Sequence, residues 1–172
     1  FQQILSNDGN LTAVNYLISI YNMEIFGPDE ITANYNISFS DNVQEGDGVT
    51  IGEFNPNTGN LIGCEIILEN DIMEINDFGY ITRVIKHELY HVFQNQVYGL
   101  NGISDATMEF DAYFSSIYRF NNLPRLSDPE RIIQLVVWLE ENWDNMPNSE
   151  KSIRQDQYDI VSNMFPKICN DD

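Results

Sequence analysis

The chain has 172 residues, 42% of them hydrophobic, which is enough for one domain (1–172) with a sizeable core. Its 27 acidic against 8 basic side chains give a net charge of −19, which argues against nucleic acid as a partner because phosphates would be repelled. No apolar run is long enough to cross a bilayer as a helix. An acidic surface serves solubility first, and it attracts cationic peptides at long range. The first residue is Phe1 and not methionine, as in a processed or trimmed chain, so the missing export signal is uninformative. Cys64 and Cys169 lie far apart and are compatible with one disulfide or with two buried thiols.

Residues 10–26 place Leu11, Val14, Leu17, Ile18, Tyr21 and Ile25 at helical spacing, and Gly27-Pro28 ends the run. Ile31 to Phe39 then alternates apolar and polar residues, the mark of a half-buried strand. Residues 41–48 form a polar loop with two glycines whose acidic residues lack the spacing of an EF-hand. Val49 to Phe54 reads as a second strand, Asn55 to Gly59 as a turn, and Leu61 to Leu68 as a third strand. Together they predict a small, mostly antiparallel sheet. Leu61–Leu68 is the candidate for an edge that an extended peptide can pair with, the other reading being a core strand.

From Asn76 to Tyr98 the pattern is one uninterrupted helix, capped by Asn76 or Asp77 and stopped at Gly99. Its apolar residues occupy more than one side, as in a central helix buried among other elements. A further helix starts at Ser104 or Asp105 and runs to about Phe120, with Pro124 closing it. Ser127-Asp128-Pro129-Glu130 opens another that runs through Trp143, and a last one spans roughly 149–165. Trp138 and Trp143 read as core aromatics rather than a ligand platform.

The central helix contains His87-Glu88-Leu89-Tyr90-His91, and these are the two histidines of the chain. Residues i and i+4 share one helical face, so both imidazoles can bind one ion, and zinc accepts neutral imidazole nitrogen readily. Glu88 stands where a carboxylate can take a proton from a zinc-activated water. A third ligand has to come from elsewhere. Glu109 lies eighteen positions past His91, at the start of the next helix, and Asp111 is its rival. The two are about 200° apart around a helix, so one of them faces the ion. Glu109 is favoured, because it shares its face with Ala112 and a small residue lets the two helices approach closely. Asp111 then serves as support, accepting the remaining N–H of a ligating histidine.

His87-Glu88-x-x-His91 followed by a helical Glu109-x-Asp111-Ala112 resembles the gluzincin group of zinc metallopeptidases, in particular its small members, over about residues 60–120. The resemblance implies a zincin-like α+β fold in which His87, His91 and Glu109 hold zinc and Glu88 is the general base. The Asn-Glu-x-x-Ser-Asp form of the thermolysin branch is absent, as are the glycine and third histidine of metzincins. The expected activity is hydrolysis of a peptide or protein substrate. Tyr98, Tyr113 and Tyr118 are candidates for stabilising the oxyanion, whereas Tyr90 is turned about 100° from His91 around the helix. The second reading is a zincin-shaped binding or structural module of a surface protein with little or no catalysis.

Overall fold

The computed structural model describes residues 2–26, 29–43, 46–75, 77–119, 126 and 128–166. Helix α1 (Gln2–Tyr21) begins before its predicted start and is broken at Gly9, whose φ of 82° is the left-handed conformation that glycine tolerates. It buries Ala13, Val14, Leu17 and Ile18 and stops at Tyr21, short of the predicted 26. Asn22 turns left-handed (φ 48°), with Asn22 N–H donating to Ser19 O at 3.4 Å and Met23 N–H to Ile18 O at 3.0 Å. This is a Schellman stop with asparagine where glycine is usual. The predicted terminator Gly27-Pro28 lies outside the described residues. Beyond the stop, β1 (Ile25–Phe26) pairs antiparallel with β2 (Asp29–Glu30).

Strands β3 (Tyr35–Ser40), β4 (Gly48–Phe54) and β5 (Leu61–Glu69) form a sheet in the order β3-β5-β4. The hairpin β4–β5 is as predicted, antiparallel from Gly48↔Leu68 to Phe54↔Leu61, with a bulge at Glu53/Phe54. Asn55 Oδ1 closes its turn by accepting the N–H of Asn57 and Thr58. Two expectations are corrected here. The sheet is mixed rather than mostly antiparallel, because the hairpin folds so that β5 meets β3, and this pair runs parallel from Tyr35↔Cys64 to Ser40↔Glu69. For the same reason Leu61–Leu68 is the central strand and not an edge. Its inner residues Cys64, Ile66 and Leu68 are buried, and β4 is the edge strand beside the long helix.

A 3₁₀ turn (Asn70–Glu74) leads into α2 (Phe78–Tyr98), the predicted central helix. Asp77 caps it, accepting Tyr80 N–H at 3.1 Å through Oδ1, while its Oδ2 accepts Asp128 N–H at 3.0 Å; Asn76 lies outside the described residues. Ile81, Ile85, Leu89 and Val92 pack with α1 and the sheet in one hydrophobic cluster. Lys86 is wholly buried. Its ammonium donates to Met23 O and to Ile25 O, and it sits 3.7 Å from the centroid of the Phe26 ring. Burial lowers its pKa to about 7, so the amine ties the end of α1 and strand β1 to α2 with a charge that is easily given up.

Helix α3 (Asp105–Phe114), capped by Ser104, passes into a π-helical turn (Ser115–Arg119); the predicted end at Phe120 and Pro124 lies outside the described residues. Helix α4 (Pro129–Asn145) starts on the Asp128 cap with proline in its first turn, and α5 (Asn148–Met164) follows; Ser127 is outside the described residues. Phe110, Phe114, Val136, Leu139, Trp143, Met146 and Val161 form a second cluster among these helices. The architecture is α+β, and no described helix is long and apolar enough to cross a membrane. Cys64 is a buried thiol with Asn95 Nδ2 at 3.8 Å, and Cys169 lies outside the described residues.

Helix α5 holds α3 from behind. Arg154 Nε and Nη2 each lie 2.8 Å from one oxygen of Asp111, and both side chains are buried. Glu150 accepts hydrogen bonds from Ser104 and Thr107 at the start of α3. Removing one partner of a buried pair leaves the other charge stranded. Arg154→Met is therefore expected to destabilise the protein by about 3 kcal/mol, measured as a lower midpoint in urea. An unchanged midpoint would show that the pair contributes nothing.

Candidate metal centre

On α2, His87 and His91 stand one turn apart with their Nε2 atoms separated by 3.0 Å. Glu109 reaches across from α3 and straddles them, with Oε2 3.2 Å from His87 Nε2 and Oε1 3.2 Å from His91 Nε2. These three residues are the His/Cys/Asp/Glu group found among the described residues that can hold a metal ion. The donor set fits one. Bonds of about 2.0–2.1 Å in a tetrahedral site put neighbouring donors roughly 3.3 Å apart, close to the separations observed.

The orientation of His91 comes from Gln94. Its side chain is 1% exposed and sits three residues along the same helical face. Gln94 Nε2 donates to Met108 O at 2.9 Å, so its Oε1 must be the atom 2.8 Å from His91 Nδ1. The imidazole therefore carries a proton on Nδ1 and turns Nε2 towards Glu109. One side chain thus orients His91 on α2 and grips the residue just before Glu109 on α3. His87 Nδ1 is buried and has no hydrogen-bond partner among the described residues; its ring packs against Tyr113 at 4.4 Å.

Glu109 and His91 each favour the charged form of the other. Burial alone would lower the pKa of His91, but the hydrogen bond and charge of Glu109 outweigh it and lift the value to about 9. Burial likewise pushes Glu109 up, yet the two imidazoles hold it well below the carboxylate range.

Glu88, 4% exposed, opens into the same cleft, a space of about 750 Å³ between β4 on one side and α3 and α4 on the other. Thr50 Oγ1 of β4 lies 2.8 Å from Glu88 Oε2 and 3.0 Å from Glu88 O. Strand and helix meet closely because residue 48 is glycine. A Cβ there would stand 3.0 Å from both Glu88 Cγ and Glu88 Oε1.

Of the residues expected from the sequence, His87, Glu88, His91 and Glu109 come together. Asp111 does not serve the histidines. Its carboxylate faces away and is taken by Arg154, and Gln94 performs the support expected of it. Tyr113 lines the cleft, whereas Tyr98 and Tyr118 do not. Trp143 belongs to the core as expected, but Trp138 lines the cleft with its ring centroid 5.7 Å from that of Tyr113. Sequence reasoning missed Gln94, Thr50 and the cleft-lining Tyr80, whose hydroxyl donates to Asp47. Only Gln94 carried a signal, being three residues past His91 on the ligand face.

The raised pKa of His91 sets a pH dependence. Its folded value exceeds the unfolded 6.5, so its stabilisation of the metal-free protein is complete below that pH and lost as pH rises through about 9. A bound ion has to displace this proton. At one fixed zinc concentration Tm is therefore expected to rise more at about pH 9.5 than at about pH 6.5, the stabilisation reaching about 4 kcal/mol where that concentration is a thousandfold above Kd. Glu109→Ala is expected to abolish the shift and Asp111→Ala to keep it. The same shift in wild type and Glu109→Ala would place the ion elsewhere.

Compared with protein-family models, curated proteins and solved structures, the chain matches none.

Proposed function

We propose that the protein is a zinc-dependent metallopeptidase of the gluzincin kind, with zinc held by His87, His91 and Glu109. The observation that carries this reading is the placement of the Glu88 carboxylate in the same cleft as the His-His-Glu group, beside the edge strand β4. Two imidazoles and one carboxylate leave a tetrahedral position open, the ligand pattern of a catalytic zinc. When bound, zinc supplies a Lewis acid that polarises a carbonyl and makes water acidic.

The remaining steps belong to the chain's own side chains. Glu88 takes the proton of the attacking water and passes it to the leaving amine, and the Thr50 hydroxyl keeps its carboxylate aimed. Burial first, then the negative charges of Glu109 and Glu88, raise the pKa of Tyr113, so its phenol stays protonated and can donate to a developing oxyanion. The backbone of β4 on the side away from β5 pairs with no other described strand and is available to an extended peptide.

Glu88→Gln is nearly isosteric and cannot act as a base. Turnover of a peptide library is expected to fall by about 10²–10⁴-fold while zinc content stays unchanged. Hydrolysis at the wild-type rate would remove Glu88 from the mechanism. Bound zinc with no turnover in wild type would favour a binding module instead. Tyr113→Phe is expected to lower kcat by about a hundredfold with little change in KM; a raised KM with kcat unchanged would assign Tyr113 to binding.

A further inference from the structure

Five carboxylates line the cleft among the described residues (Asp47, Glu88, Asp105, Glu109 and Glu141), against the single guanidinium of Arg83. A divalent ion therefore still leaves an excess of two negative charges. Three of the five are engaged: Asp47 by the Tyr80 hydroxyl, Glu88 by Thr50 and Glu109 by the histidines. The carboxylates of Asp105 and Glu141 accept no hydrogen bond from another described residue, and Glu141 is exposed.

Glu141 stands at the end of an aromatic floor. The ring of Tyr113 packs on His87 at 4.4 Å, and that of Trp138 lies 5.7 Å further out at 36°. Trp138 and Glu141 are three residues apart on α4 and both face the cleft. Successive aromatic rings ending in an unengaged carboxylate suit a long aliphatic stem with a cationic head, which gains from ring faces as well as from the opposite charge.

We propose that the cleft selects peptides with a lysine or arginine next to the scissile bond, its stem lying over Tyr113 and Trp138 and its cation meeting Glu141. The proposal deepens the peptidase reading and rests on it for the position of the scissile bond. The cation subsite itself is testable by binding.

The probes are blocked alanine hexapeptides in which one arginine, lysine, methionine or glutamate is walked along the chain. Binding is measured by calorimetry on zinc-loaded Glu88→Gln protein, and cleavage by mass spectrometry on wild type. Arginine and lysine peptides are expected to bind about fivefold more tightly than the methionine peptide at one position, the size of a partly exposed ion pair with cation–π support. Adding Glu141→Gln is expected to erase that preference. Adding Asp156→Asn, an equal charge change on α5 outside the cleft, is expected to leave it intact. Equal loss in both variants would show that only the overall negative field acts, and no preference at any position would remove the subsite; either result overturns the proposal. A preference that obeys Glu141 in a protein that cleaves nothing would uphold the subsite and overturn the peptidase reading.

Discussion

The cleft depends on how α2 crosses α3. Two of the three groups that could hold a metal ion come from one helix and the third from the other, so small rotations of α3 move Glu109 off the histidines. Gln94 ties the two helices together by holding His91 Nδ1 and Met108 O at 2.8 and 2.9 Å. The bidentate Arg154–Asp111 pair fixes the rotation of α3 from the opposite side, and Glu150 gathers the first turn. A buried amide with both ends satisfied has one low-energy placement, which makes it a spacer as well as a hydrogen-bond partner.

The electrostatic arrangement around α2 has a matching logic. The helix is buried on several sides yet carries Lys86, Glu88, His91, Gln94 and Asn95 in its interior. Each ionisable group is met by something fixed: Lys86 by backbone carbonyls and an aromatic face, Glu88 by Thr50, and His91 by Glu109 and Gln94. Buried charge is tolerated only when it is paired in this way. A divalent ion would displace a proton from His91 without moving the surrounding side chains, because the donors are already at ligand spacing.

Local rules were legible in the sequence and tertiary choices were not. Asp77, Ser104 and Asp128 cap helices, and β4 and β5 form a hairpin, because capping and turn chemistry act over a few residues. The histidine pair and Glu88 were legible for the same reason, since i,i+4 spacing is a property of one helix. The side of α3 that carries Glu109 followed from helical phase. The insertion of β5 between β3 and β4 did not, because alternation specifies a face and not a neighbour. Asp111 was misread because its partner, Arg154, is distant in sequence and part of another helix. Helix α1 ends early because asparagine substitutes for the expected glycine in its stop.

The carboxylate of Asp77 bonds the first turn of α2 through one oxygen and the N-cap of α4 through the other. Helix α2 and the start of α4, the helix bearing Trp138 and Glu141, are therefore joined at one end by this carboxylate and by the Arg131 guanidinium lying 4.1 Å from the Tyr80 ring. At that end the two helices cannot separate without giving up the part-buried hydrogen bond from Asp128 N–H. Any widening of the cleft would then be an angular swing of α4 about Asp77, with the displacement growing towards Asn145. The outer part of the wall, where Glu141 sits, would travel furthest, and a longer or bulkier substrate segment would be accommodated there before it was accommodated next to His87.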